Sequence, residues 1–180
     1  MRFFNRHSIA GVSAHEAYPG HYVHLTYLNR AGSDLGKYLL SITPIEGWAH
    51  YVEQLMVEAG YANADPRFHL MQIREALMRL ARYRCAFGLQ AEGWTPQRAI
   101  DFFLNEAFVT EVIAERETRR GIIGPNYYAY TLGKHEILAL RDKIRAREGA
   151  AFDLLRFHDE LMQLPYPVST IQRIMLGAQP

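Results

Sequence analysis

The chain has 180 residues, enough to bury one sizeable core, and its 49% apolar and 22% charged residues are ordinary for a globular protein. A formal net charge of +1 gives no electrostatic reason to expect nucleic acid or an anionic membrane as partner. The single cysteine, Cys85, excludes an internal disulfide and every zinc site built from several thiolates, so a metal here has to be held by His and carboxylate.

No apolar run is long enough for a membrane span. Met1 to His7 lacks the apolar core of a signal peptide. The compartment is therefore not specified, and the cytoplasm is the default expectation. Four of the eight histidines fall within the first 24 residues, with almost nothing in front of them. The expectation is that the chain is the C-terminal part of a longer architecture. It would then pair with the missing N-terminal portion or with a second copy.

Pro and Gly punctuation divides the chain into helices. The first is expected from about Ser13 to Asn29, interrupted at Pro19-Gly20. Thr43-Pro44-Ile45-Glu46 reads as N-cap, N1 and a capping-box Glu at N3, opening a helix that runs to Gly60. Asp65-Pro66 opens the next, which carries Phe68, Met71, Leu77 and Leu80 to about Gln90. Thr95-Pro96 opens another, rich in Phe102, Phe103 and Phe108, and Gly121 to Pro125 is a loop. Tyr127 to Arg147, Phe152 to Gln163 and a last short helix from Ser169 complete the series. No period-2 strand is present. The prediction is an all-α, single helical domain over residues 1–180 with five or six helices.

Two segments carry chemistry. In His15-Glu16-Ala17-Tyr18-Pro19-Gly20-His21 the histidines are six apart, which on an ideal helix leaves them about 120° apart, too far round to share an ion. Pro lacks the N–H of the helical ladder and Gly tolerates unusual backbone angles, so a kink at Pro19-Gly20 would bring His21 round to His15. Glu16, directly after His15, is then placed to take a proton from an activated water. His24 either supports a ligand from behind or is a surface histidine. In the second segment Glu46, His50 and Glu53 are spaced four and three apart and share one helical face. Glu46 is either the carboxylate ligand or only a capping residue. His50 and Glu53 either support the ligands from behind or are a solvent-facing pair. Glu53 is expected to steady a ligand His through a carboxylate–imidazole bond, and Gly47 to leave room for the His15 helix.

At these two segments the chain resembles a bacterial family catalogued as domain of unknown function 885, whose members look like zinc peptidases of the gluzincin type. The family pattern is H-E-A-x-P-G-H followed by E-G-W-A-x-Y-x-E. The resemblance continues through Arg79 and Arg82, Gly93-Trp94-Thr95, Tyr130-Thr131-Leu132-Gly133, Leu140-Arg141, Phe152-Asp153 and Phe157-His158-Asp159, nearly the whole chain. It departs at Ala86 and Gln90, where the family usually has Asp and His, and at His50, where an apolar residue is commoner.

The resemblance implies a Zn2+ ion on His15, His21 and Glu46, and a peptide substrate. Glu16 is the general base, and Tyr130 or His158 the donor to the tetrahedral intermediate. The alternative for Tyr130 is a buried tyrosine with its hydroxyl satisfied, and for His158 a structural hydrogen bond. Arg141 is expected to pair with a carboxylate. The competing reading of the whole chain is a non-catalytic metal-binding or helical interaction module derived from such a peptidase. Another keeps the metal but cleaves a non-peptidic amide or an ester.

Overall fold

Polar side chains cap four of the helix starts among the described residues. Asn5 accepts from the N–H groups of His7 and Ser8, Asp65 from Arg67, Thr95 from Arg98 and Asp153 from Arg156. The structure, a computed structural model, describes residues 5–31, 34–38 and 40–177. Met1 to Phe4, part of the segment read as lacking a signal peptide, lie outside the described residues.

Among the described residues the elements are α1 (Arg6–Glu16), α2 (His21–Ala31), α3 (Asp34–Tyr38), α4 (Ile42–Glu58), α5 (Pro66–Ala91), α6 (Pro96–Glu106), α7 (Glu111–Ile123), α8 (Tyr128–Glu148), α9 (Leu154–Met162) and α10 (Val168–Leu176), with short 3-10 turns and no strand. The all-α expectation holds, with ten α-helices rather than five or six. α1 and α2 are the two parts of the helix expected to break at Pro19-Gly20, with α1 starting at Arg6 rather than Ser13, and α3 and α7 are additional. The aromatic segment after Thr95 is two helices, α6 and α7, parted where Phe108 takes a positive φ of 53°. Phe108 is consequently exposed rather than core. Gly121 to Ile123, read as loop, close α7 instead. Among the described residues no helix is long and apolar enough to cross a membrane.

The capping box at Thr43 does not form. The N-cap is Ser41, and Thr43 and Pro44 already lie inside α4. Glu46 is therefore past the first turn, and its carboxylate has no cap to complete.

Two apolar clusters hold the helices. Trp48, Tyr51 and Val52 of α4 pack with Ile137, Leu140 and Ile144 of α8 and with side chains of α9 and α10. Met78, Ala81 and Cys85 of α5 pack with Phe103 of α6 and Ala114 of α7. Leu80, expected in the core, is half exposed. The crossing of α4 and α8 is closest at Gly47 and Gly133. A Cβ on Gly133 would overlap the Thr43 carbonyl and come within 2.8 Å of the Gly47 Cα. Gly47 thus makes room for α8 and not for the His15 helix, as the spacing had suggested.

Gly133→Ala should destabilise the chain by about 2–3 kcal/mol, as overpacking does. Gly11→Ala, on an open face of α1, should have the opposite sign, a gain of about 0.5–1 kcal/mol from helix propensity. Thermal unfolding of the two variants checks the pair. Equal effects would mean that the α4–α8 crossing is not as close as described.

Candidate metal centre

The α1 ladder ends at Glu16. Beyond it the Ala17 and Tyr18 N–H groups both turn back to the Ser13 carbonyl, at 2.9 and 3.2 Å. Pro19 has no N–H to continue, and its carbonyl accepts from the Trp48 indole at 2.9 Å, which ties the break to α4. A Cβ on Gly20 would overlap the His15 carbonyl, so only glycine lets α2 restart this close to α1. The result is the predicted kink. The rings of His15 and His21 stand edge to face with centroids 4.8 Å apart.

Glu46 of α4 completes the group. Its Oε2 lies 3.4 Å from His21 Nε2 and 3.9 Å from His15 Nε2. One ligand atom from each of the three residues lies within 4.8 Å of the others. Donors at zinc–ligand distances in a tetrahedral site stand about 3.3 Å apart, so small side-chain shifts would bring these three to one ion. Glu46 Oε2 is buried and makes no hydrogen bond among the described residues, an orphan that a cation would satisfy. Burial pushes the Glu46 carboxyl up, but His21 and His15 outweigh it and hold it below its ordinary range. The residues present fit zinc, a metal of imidazole nitrogen and carboxylate oxygen.

Glu53 supports the cluster from behind. Its Oε1 accepts from His15 Nδ1 at 2.7 Å and from Arg79 Nη2 at 2.7 Å, and its Oε2 lies 3.1 Å from His50 Nδ1. The carboxylate only accepts, so His15 carries its proton on Nδ1 and presents a bare Nε2 to Glu46 and His21. Burial opposes the Glu53 charge, yet Arg79 and the two imidazoles hold its pKa well below the usual carboxylate value. His50 and Glu53 are buried and not a solvent-facing pair. Burial lowers the His50 pKa to about 4, leaving it a neutral partner. The structure adds Arg79, which sequence reasoning marked only as part of an R-x-x-R segment. The signal was indirect, since a buried Glu beside neutral imidazoles requires a cation.

Glu16 is exposed and lines a cavity of about 210 Å³ together with His15, Glu53, Arg79 and Tyr130. Tyr130 enters from α8, and its hydroxyl makes no hydrogen bond among the described residues. Burial, then the nearby Glu46, raises its pKa, so it stays a donor. His24 is fully buried against Trp48 and neither ring nitrogen has a hydrogen-bond partner among the described residues. It is not bonded to the cluster, and it is no surface histidine.

His158 is not brought to the cavity. It lies beyond Trp48, on which its ring stands edge to face at 5.1 Å. Arg141 donates to the Tyr51 hydroxyl at 3.1 Å, and Tyr51 donates in turn to His158 Nε2 at 2.8 Å. Arg141 also meets Glu58 at 3.3 Å, the carboxylate pairing expected of it. Ala86 and Gln90 lie on another groove with Pro125 and Tyr128, and Gln90 donates to the carbonyls of Gly121 and Ile122 at the end of α7. Neither is among the residues lining the cavity.

Burial, then Arg141, lowers the His158 pKa from 6.5 to about 4. As pH falls from about 6.5 to about 4 the unfolded chain takes up a proton that the folded chain refuses, so stability drops across that window and no further below it. The expected loss from this residue is about 2–3 kcal/mol. His158→Gln, which keeps an acceptor for Tyr51, should flatten the acid limb in urea unfolding. An unchanged limb would show that His158 does not titrate in this way.

A family model for a bacterial protein of unknown function, DUF885, matches residues 1–175, and the chain belongs to that family. Its fold is shared by a solved structure described as a candidate lipoprotein of unknown function from Shewanella oneidensis. That match has a TM-score of 0.90 and 32% identity over 96% of this chain and 32% of that one. A similar candidate lipoprotein from Colwellia psychrerythraea matches with a TM-score of 0.87 and 28% identity, over 96% of this chain and 30% of that one. The chain thus spans about a third of the length of these solved relatives. No curated protein matches it.

Proposed function

We propose that the chain carries the metal centre of a zinc-dependent hydrolase acting on peptide bonds. The observation that supports this reading is the convergence of His15, His21 and Glu46 within 4.8 Å, with Glu53 bonded behind His15 at 2.7 Å. Zinc held by these three residues supplies Lewis acidity and activates water near neutral pH.

The remaining work falls to the side chains. Glu53 keeps the His15 Nε2 bare and the ring in place. The Glu16 carboxylate takes the proton of the attacking water and hands it to the leaving amine. Tyr130 donates from its hydroxyl to the carbonyl oxygen as that oxygen gains charge. Phe68 and Met71, at the other part of the cavity lining, offer apolar contact to a substrate side chain, and this mix of a few polar groups with apolar walls suits a peptide.

The test is elemental analysis of the purified chain, followed by peptide and ester substrates with and without chelator. One zinc per chain and peptide cleavage lost on chelation are expected. A chain that takes up no zinc overturns the reading. Stoichiometric zinc with no turnover supports the non-catalytic metal-binding module instead.

A further inference from the structure

The cavity beside His15 has a wall built from alternating arginines and tyrosines. Arg79 and Arg82 sit over the Tyr130 ring at 5.9 and 5.7 Å, and Arg82 and Arg120 over the Tyr127 ring at 5.3 and 5.4 Å. All three arginines and Tyr130 line the cavity. The series begins at the metal cluster, because Arg79 is bonded to Glu53, the partner of His15.

The three guanidinium groups differ in what neutralises them. Arg79 has Glu53 at 2.7 Å. Arg82 forks onto both oxygens of Glu117 at 2.9 and 3.1 Å. Arg120 has no ion pair or hydrogen bond among the described residues and lies over the Tyr127 ring. Glu117 is near enough to feel its charge, but those oxygens are already taken by Arg82 and by the Tyr127 hydroxyl at 2.8 Å. Tyr127 is therefore fixed, with the exposed Arg120 guanidinium 5.4 Å from its ring centroid and the N–H fork unused among the described residues. A guanidinium with an unpaired fork suits a planar anion with two oxygens.

Position limits what that anion is. Arg79 and Arg82 are three residues apart on α5, about 4.5 Å along the axis. That is close to the length of one extended residue, about 3.3–3.6 Å. A group bound at the Arg82–Arg120 end thus occupies the same cavity as a carbonyl at His15.

The geometry points to Arg120, backed by Arg82, as the anchor for a free carboxylate on the peptide substrate, in the cavity that His15 and Glu16 also line. This rests on the peptide-hydrolase reading and adds a substrate class to it. The carboxylate is either the terminal α-carboxylate or an Asp or Glu side chain, and both present the same two oxygens to the fork.

Calorimetry on the zinc-loaded chain tests it with three probes: N-acetyl-leucine, its amide, and the α-amide of N-acetyl-aspartate. The wild type should bind at least one carboxylate probe about 10-fold or more tightly than N-acetyl-leucine amide. Arg120→Gln should abolish that preference without lowering zinc content or the melting temperature. Arg120→Lys, which keeps the charge but loses the fork, should retain part of it. The carboxylate probe that loses affinity identifies the source.

Equal binding of acids and amide by the wild type, no binding of any probe, or an unchanged preference in Arg120→Gln overturns the proposal. A chain that discriminates acid from amide yet cleaves no peptide keeps this anchor and sinks the hydrolase reading. A chain that cleaves free and amidated peptides equally, before and after Arg120→Gln, does the reverse.

Discussion

Glu46→Ala will lose most of its bound zinc, whereas Glu53→Gln will keep a weakened site. Glu46 is the carboxylate whose oxygen lies 3.4 Å from His21 and 3.9 Å from His15, and without it two imidazoles remain, one protein ligand short of a catalytic zinc site. Glu53 reaches the cluster through His15 Nδ1, and loss of such a partner typically costs about 10- to 100-fold in metal affinity.

The structure also decides which variant to make. Arg79 and Glu53 are 8% and 4% exposed, so Glu53→Ala would strand a buried guanidinium at about 3–5 kcal/mol. Unfolding would then be mistaken for metal loss. The glutamine variant keeps the volume and an acceptor for His15. Zinc stoichiometry and affinity, read with a competing chelator alongside melting temperatures, check the pair. Stoichiometric zinc in Glu46→Ala with a metal-free but folded Glu53→Gln would reverse the assignment. Zinc retained by both would move the site elsewhere.

Glu16→Gln will bind zinc as the parent does and lose about 100- to 10,000-fold in peptide hydrolysis, the usual contribution of a general base. Glu16 is exposed on the cavity wall, so the amide disturbs no packing, and melting temperature and zinc content should both be unchanged. Those two readouts separate loss of a proton acceptor from loss of the site. Undiminished turnover in the variant would remove Glu16 from the reaction.

The sequence by itself determined the helical class and several helix starts, because caps such as Asp65 and Thr95 act within a few residues of chain. The break at Pro19-Gly20 was legible for the same reason, since a missing N–H and a missing Cβ are local properties. So was the common face of Glu46, His50 and Glu53, which three- and four-residue spacing fixes in any α-helix.

What the spacing left open was who faces whom. Whether Glu46 capped its own helix or reached the histidines depended on where α4 begins, and packing rather than the Thr43-Pro44 pattern set that start at Ser41. Gly47 read as room for a neighbour, but only the crossing of α4 with α8 made that neighbour Gly133. His158 and Tyr130 were equal candidates in the sequence. The tertiary structure puts Tyr130 on the cavity wall and turns His158 onto Tyr51, on another face of α4. Arg79 stood in the sequence only as part of an R-x-x-R segment and Arg120 was not singled out, because an arginine's partner is chosen by the helices around it, and those meet only in the folded chain.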